Sequence, residues 1–591
     1  MNLIKQTRQE MRLITKTRFL LVTAAVLLVF GCVYPLIGKY FSRVVYYDSN
    51  YNPASITIRG VTINDNSPVF YEFENLQKAV KLLETDSGSV TTDPKVKKTA
   101  LDLTDESLAF CEKAASEIKD YNDYRSEAVF MYMRCAGKKK LLEADRSDLS
   151  VLRRALEIVV PDSYLSDEDF NAEYVNISAS ERREKLEDVN KRLEAINYIL
   201  ENKDAEDSFD KYIDLMTGQI QDLEKNIQKS LEALEKEIIA HPGSEEQNSR
   251  QIEDYKIDIE RCRIQYELLN LRRERKINPY DSEDWRNNAI FDIEYNNNSI
   301  IYESKMVSEE EFVTDRWMVL EFKTYQNYER LMQEQINGYN NNILIAQNSL
   351  KADKPDMKYV DNGARAVSHT FLVSANLTYL FAVLLGGWLI ANEHQSGTIR
   401  LLLIRPKTRT KILISKYLGA LVFCFLLYTL SQLLCMLTAG AVSGFGDFLM
   451  PNYTVSGPEA FFPMYMSRFF ICFLPVLFML AFSFMLSVLL KNMALSIIIP
   501  YGSFTASMIV IEFMSQNIQG KDYLAFTPFR YLTFSSAFKG SSDIYSSRMT
   551  YYGISAGSMM NVSLGTVMLL LYSAAALAVS VIVFKKQDVQ N

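Results

Sequence analysis

The sequence predicts an all-α membrane protein with six transmembrane helices and a large, mainly α-helical, coiled-coil-like extracytoplasmic domain. Three observations predict it. Apolar residues collect at the two ends of the 591-residue chain, although its mean hydropathy is only −0.06. Six stretches approach the roughly 20 apolar residues that a hydrocarbon core of about 30 Å demands of a helix. The polar middle repeats its apolar positions at helical spacing.

Residues 1–18 open with "MNLIKQTRQEMRLITK", in which Leu3, Ile4, Met11 and Ile14 stand among basic residues. This pattern fits an amphipathic helix on the cytoplasmic membrane surface. Transmembrane helix 1 is placed within 19–40, with its apolar run at Phe19–Ile37. The run has no small-x-small cleavage site beyond it, so it reads as an uncleaved membrane helix rather than a secretory signal. Helices 2 to 6 fall within 367–591, at Phe371–Ala391, Tyr417–Val442, Phe469–Leu490, Ala494–Met514 and Val562–Phe584. Lys and Arg stay on the cytoplasmic side of a membrane. With six spans, the basic residues before the first span, those from Arg400 to Lys416, Lys491, and the Lys585–Lys586 pair share one face. Both termini are therefore expected in the cytoplasm of a multi-pass cell-membrane protein. The loop from Ser443 to Pro463 has no Lys or Arg, as an outside loop should, whereas 515–561 carries Lys521, Arg530, Lys539 and Arg548 and blurs the signal there.

The expected outside domain is 41–366. From Phe41 to Arg365 there are 44 basic and 64 acidic residues, a balance of −20, against +12 for the rest. Such a field attracts cationic ligands, although solvated faces of long helices give the same composition. "YNPASITIRGVTINDNSPVFYEF" mixes β-branched residues with turn formers and predicts a short strand or two. From Phe209 through Ile213, Met216, Ile220, Leu223, Ile227, Leu231 and Leu234 to Ile238, apolar residues step by three or four. That is a heptad seam with one stutter. "HPGS" at 241–244 breaks it, and a second seam runs Ile252, Tyr255, Ile259, Cys262, Tyr266, Leu269, which predicts an antiparallel helical hairpin. Further helices are expected at Leu76–Leu83, Asp105–Leu142, Ser178–Leu200 and Glu309–Leu350, the last with a Trp317, Tyr325, Tyr328, Met332 stripe read as core. No catalytic set is visible in this domain. The seven cysteines include no CxxC pair, which gives no metal or redox motif. Cys111 and Cys135 fall on the oxidising side and form the candidate disulfide.

Nucleotide hydrolysis needs a phosphate cradle such as GxxxxGK[ST], and the chain has none, so it is expected to be no enzyme by itself. Residues 392–416 look instead like a receiver. Ser396 is placed to cap a short helix from Thr398 to Ile404, with Glu393 just ahead of it where negative charge suits the helix dipole. Pro406 ends that helix at Arg405, and a new one starts near Thr408. An apolar knob at Leu401–Ile404 between basic rims fits a groove on a cytoplasmic partner. Within the spans, Asn376 and the intramembrane acid Glu512 are candidate pathway residues.

The order Glu393, Ser396-Gly397-Thr398, Arg400-Leu401-Leu402, Pro406, Arg409 and Ser415-Lys416 resembles the cytoplasmic loop of permease subunits in the type-two ABC exporter family. The tail "FKKQDV" is similar to that family's ending, and the resemblance covers about 40 N-terminal residues and Ser368–Asn591. It implies a loop, 392–416, that docks on a separate ABC ATP-binding subunit, which would hold the ATP and Mg, while this chain binds no cofactor or metal. It further implies a second permease half, identical or not, contact with membrane lipid, no nucleic acid, an amphiphilic substrate such as a peptide, antibiotic or lipid, and a bacterial source. The outside insertion is far larger than in simple drug exporters, so substrate does not carry over. The alternative is a non-transporting receptor or adhesion protein with a helical ectodomain. Six spans and a coupling-like loop argue against it, since one span would anchor such a protein.

Overall fold

The polar middle does not divide from the apolar ends at its own limits, since residues 295–363 cluster with the ends. The computed structural model describes residues 3–44, 55–64, 67, 69–84, 93–118, 123–160, 166–203, 205–240, 245–281, 283–303, 307–360, 362–373, 376–399, 409–454, 456–515, 526–532 and 562–586. Two compact units result, one from 1–48 with 295–591 and the other from 49–294. Both are mostly helical.

The 49–294 unit begins with the expected strands, β1 (Ser55–Ile58) and β2 (Val61–Asn64), paired antiparallel with Ile58 opposite Val61. Arg59 and Gly60 form the turn with φ of 47° and 92°, the left-handed pair that a two-residue hairpin needs. Helices α3 (Phe70–Glu84), α4 (Pro94–Glu117), α5 (Arg125–Glu143), α6 (Leu149–Val159), α7 (Asp167–Phe170) and α8 (Ala179–Glu201) follow. They enclose a core of Phe73, Leu103, Phe110, Cys111, Met131, Leu156 and Ile196. Two starts follow helix-capping chemistry. Asp93 accepts from the Lys95 amide with Pro94 in the first turn, and Ser178 with Glu181 closes a capping box.

The single helix expected over Asp105–Leu142 is two helices, and Arg125 holds their junction. Its guanidinium donates to both Asp123 carboxylate oxygens, at 2.7–3.0 Å, and to the carbonyls of Glu117 and Leu200 at the ends of α4 and α8. Helix C-termini leave carbonyls unpaired, and one buried Arg serves two of them. Burial alone would raise the Asp123 carboxyl, yet its side-chain and backbone hydrogen bonds from Arg125 hold it below the usual 3.8. A depressed carboxylate contributes stability that is present above its unfolded pKa and lost as pH falls through the folded one. Asp123→Asn is therefore expected to lower the melting temperature of this unit at about pH 6 by removing a buried pair, an effect of about 3–5 kcal/mol. The wild-type and variant melting curves should converge in acid below 3.8. A constant gap across that range would refute the assignment.

Helices α9 (Ser208–Ala240) and α10 (Glu245–Arg275) pack on each other as the two seams anticipate, and residues 241–244 between them lie outside the described residues. Only the first turns of α9 are buried, at Tyr212, Ile213 and Leu215. Farther out Ile227, Leu231, Leu234 and Ile238 are half-buried and Leu223 is 51% exposed, a shallow seam. Near the root, Lys276 donates to Asp210 at 2.6 Å and Arg273 pairs with Asp214. α11 (Trp285–Glu303) follows.

The other unit contains α1 (Leu3–Lys16) and α2 (Arg18–Val44). After α11 the helix expected over Glu309–Leu350 is three, α12 (Glu309–Thr314), α13 (Arg316–Phe322) and α14 (Tyr325–Ala352). Asp315 caps α13 and Thr324 caps α14, which forces the breaks. Tyr328 and Met332 are core as expected, packed on Phe312, Met318 and Phe322, but Trp317 is 72% exposed.

Then come α15 (Ala364–Val373), α16 (Asn376–Gln395), α17 (Arg409–Ser443), strands β3 (Pro451–Thr454) and β4 (Gly457–Ala460), α18 (Phe461–Leu490), α19 (Met493–Ser515) and α20 (Val562–Lys586). Among the described residues five segments are long and apolar enough to cross a bilayer: Arg18–Ile37, Ala364–Gln395, Arg409–Ser443, Phe461–Leu490 and Val562–Lys586. The remaining expected span, Ala494–Met514, coincides with α19, whose described apolar part is Met493–Ala506, short of the roughly 20 residues a span needs.

Small residues bring α16, α18 and α19 together. A Cβ at Gly386 would lie 2.8 Å from the Leu480 carbonyl oxygen, so no larger residue fits without moving a backbone. Ser487 Oγ donates to the Gly387 carbonyl at 2.9 Å and accepts from the Ala391 amide at 2.8 Å. Ser483 Oγ lies 2.7 Å from the Val383 carbonyl and 3.0 Å from that of Ser496. Small residues with interhelical hydrogen bonds are the means by which helices associate where water supplies no driving force.

A second lock lies where α15 begins. Arg365, fully buried, donates to Asp447 through Nε at 2.7 Å and through its own amide at 2.7 Å, and to the carbonyls of Pro451 and Pro355. The Ser443–Pro463 loop, which has no Lys or Arg of its own, thus has its Asp447 neutralised by α15. Asp356 adds to the lock, accepting from the Tyr453 amide at 2.7 Å.

Candidate coupling site

The site forms where α1, the end of α16 and the start of α17 meet. α17 presents Lys416 on the side facing α1. Its ammonium lies 2.9 Å from Glu10 Oε2 and 2.6 Å from Glu393 Oε1. The Lys416 side chain is 4% exposed and the two carboxylates 18% and 17%, so three charges share a nearly dry pocket. An ammonium there is tolerable only because two carboxylates face it, and they depend equally on it.

α1 reaches Lys416 because of a glycine. A Cβ at Gly419 would sit 3.1 Å from the Glu10 Cβ and 3.5 Å from the Thr7 carbonyl oxygen, so the bare backbone of α17 is the bed on which α1 lies. Ile14 at 1% exposure and Leu20 at 0% join the same core as Leu389, Ile390, Leu413 and Tyr417. Within α1 only Ile14 reaches this core, Leu20 belonging to α2, while Ile4 and Leu13 are exposed, so α1 is held by Ile14, the Gly419 contact and Glu10.

Of the residues expected to act in coupling, Glu393 and Lys416 are brought into contact. Ser396, Gly397 and Thr398 form the turn that ends α16: the Ser396 amide donates to Asn392, Gly397 adopts a φ of 70°, and both hydroxyls lie 3.5 Å from the Glu393 carbonyl. The described bonds of Ser396 thus close the preceding helix rather than open the next one. Arg409 donates to the Lys585 carbonyl at 3.3 Å, tying the first turn of α17 to the end of α20. Arg400, Leu401, Leu402 and Pro406 lie outside the described residues, and so do the side chains of Asn376 and Glu512. Cys111 and Cys135 are separate buried thiols rather than a bridge, and burial, with Glu72 adding, pushes Cys111 up to about 12.

Sequence reasoning missed Glu10. A signal was present, because Glu10 is the single acid in a segment of basic residues, as Glu393 is in the stretch to Lys416. Two lone acids in basic surroundings ask for a common buried cation.

Residues 340–590 match a family described as a protein of unknown function, DUF2705. That region holds four of the five candidate spans and none of the 49–294 unit. A stretch of 51 residues, 9% of this chain, is 49% identical to the uncharacterized protein YhcI of Bacillus subtilis (strain 168). The match spans 16% of that protein's length.

Proposed function

We propose that this chain is the membrane permease subunit of an ATP-driven exporter. It pairs with a separate cytoplasmic ATP-binding subunit and a second permease half, and moves an amphiphilic substrate across the cell membrane with six spans, α19 being the fifth. The observation that carries this reading is the Lys416 triad. It fastens the surface helix α1 to the two helices that flank the 400–408 loop, so that force applied to the loop is shared by α1, α16 and α17. A receptor that only anchors an outside domain has no use for such a junction on the side assigned to the cytoplasm. In this topology the 49–294 unit is extracytoplasmic and gathers or shields substrate.

The test is a mild-detergent pull-down of the tagged protein from its native host, with an ATPase assay on the eluate. Leu402→Asp should leave insertion and expression unchanged and abolish partner-dependent ATPase stimulation. Normal stimulation in that variant would mean that the dock lies elsewhere, and recovery of the intact protein with no ATPase would favour the receptor.

A further inference from the structure

α12 and α13 present a surface that coupling does not use. Their inner residues Phe312, Met318 and Phe322 pack on α14. Outward stand Val313, Trp317 and Leu320, 67%, 72% and 51% exposed. An exposed Trp among aliphatics is uncommon on a surface with no partner, and Trp is the side chain most often found to anchor one. Asp315 caps α13 beneath this face, accepting from the Trp317 and Met318 amides at 2.8 and 3.2 Å. Beside it Val307, Glu311, Thr314, Asp315, Arg316 and Met318 line an open depression of about 590 Å³, large enough for a few side chains. Glu311 lines it, Glu309 and Glu310 stand exposed beside Glu311 in the first turn of α12, and Arg316 is the only basic residue from 307 to 320.

Charge selects among occupants. An anionic bilayer would be repelled by these carboxylates. A second copy in a two-fold contact would set this acidic patch against itself. A cationic amphipathic helix satisfies both parts, apolar face on the aliphatic and indole surface, ammonium groups over the carboxylates. We infer that the outer face of α12 and α13 is a docking surface for a cationic amphipathic peptide. The inference goes beyond the exporter reading and does not depend on it, because a receptor could use the same surface.

The experiment uses the full chain in neutral-lipid nanodiscs and a dansyl-labelled helical peptide of Leu and Lys, roughly 14 residues or four turns long. Binding is read by dansyl anisotropy. Trp317→Ala should weaken it about tenfold, and the near-isosteric double variant Glu309→Gln/Glu310→Gln should do the same, with wild-type binding falling as salt rises. Wild-type affinity in the double variant would overturn the proposal even if Trp317→Ala misfolds, and so would equal binding of a Leu and Glu peptide. Self-association by sedimentation that Trp317→Ala abolishes would assign the surface to a second copy. Attachment to phosphatidylglycerol vesicles that Trp317→Ala abolishes would assign it to lipid.

Discussion

Lys416→Met is expected to abolish partner-stimulated ATP hydrolysis and to cost about 3–5 kcal/mol of stability, because it strands the Glu10 and Glu393 carboxylates in a pocket built around one cation. The two effects can be separated. Replacing a whole buried ion group by neutral residues of similar size is often close to neutral for stability. The triple variant Glu10→Gln/Glu393→Gln/Lys416→Met should therefore recover most of the lost melting temperature. If the triad transmits force, stimulation stays lost in the triple variant. If stimulation returns along with stability, the triad is scaffolding and the coupling proposal loses its main support.

The second large effect is expected at Arg365. Asp447→Asn keeps the shape of the partner but removes its charge, leaving a guanidinium that is fully buried with only neutral groups around it. The expected loss is again about 3–5 kcal/mol, and Arg365→Ala should do at least as much harm by adding a cavity. A thiol-reactive dye reports the result locally, since Cys424, Cys435 and Cys472 are buried in this unit and become reactive as it unfolds. Mapping the labelled peptides distinguishes them from Cys111, Cys135 and Cys262 of the 49–294 unit. Unchanged labelling onset at Cys424, Cys435 and Cys472 would show that Arg365 is dispensable.

The legible parts of this fold were those with a local period. Apolar runs located the apolar helices, although α17 and α18 begin eight residues before Tyr417 and Phe469 and the run from Phe371 crosses from α15 into α16, and the short strands and the α9–α10 pair followed from β-branched clusters and heptad steps. Helix breaks were not legible where one side chain imposed them. Arg125 divides α4 from α5 by bonding Glu117 and Leu200, the latter 75 residues distant, and no periodicity signals such a contact. Apart from the Pro355 carbonyl, Arg365 finds its partners 82 to 87 residues away, inside a loop whose lack of basic residues was read only as topology. Trp317 shows the converse error: helical spacing put it in a core stripe, but Asp315 and Thr324 restart the helix twice and turn it outward. At the candidate site the Glu393 and Lys416 ends of the loop were recognisable by order, while Glu10, 406 residues from Lys416, was hidden by distance.

The Gly386 contact has a mechanical consequence. Helices separated by side chains can slide, because rotamers adjust to each small displacement. Those whose backbones touch, and whose serine hydroxyls span from Val383 to Ser496 and from Gly387 to Ala391, have no such slack. α16 and α18 therefore behave as one girder, stiff in shear and free only to tilt or twist as a whole, and a load arriving at the Glu393 end of α16 would be delivered as torque to both.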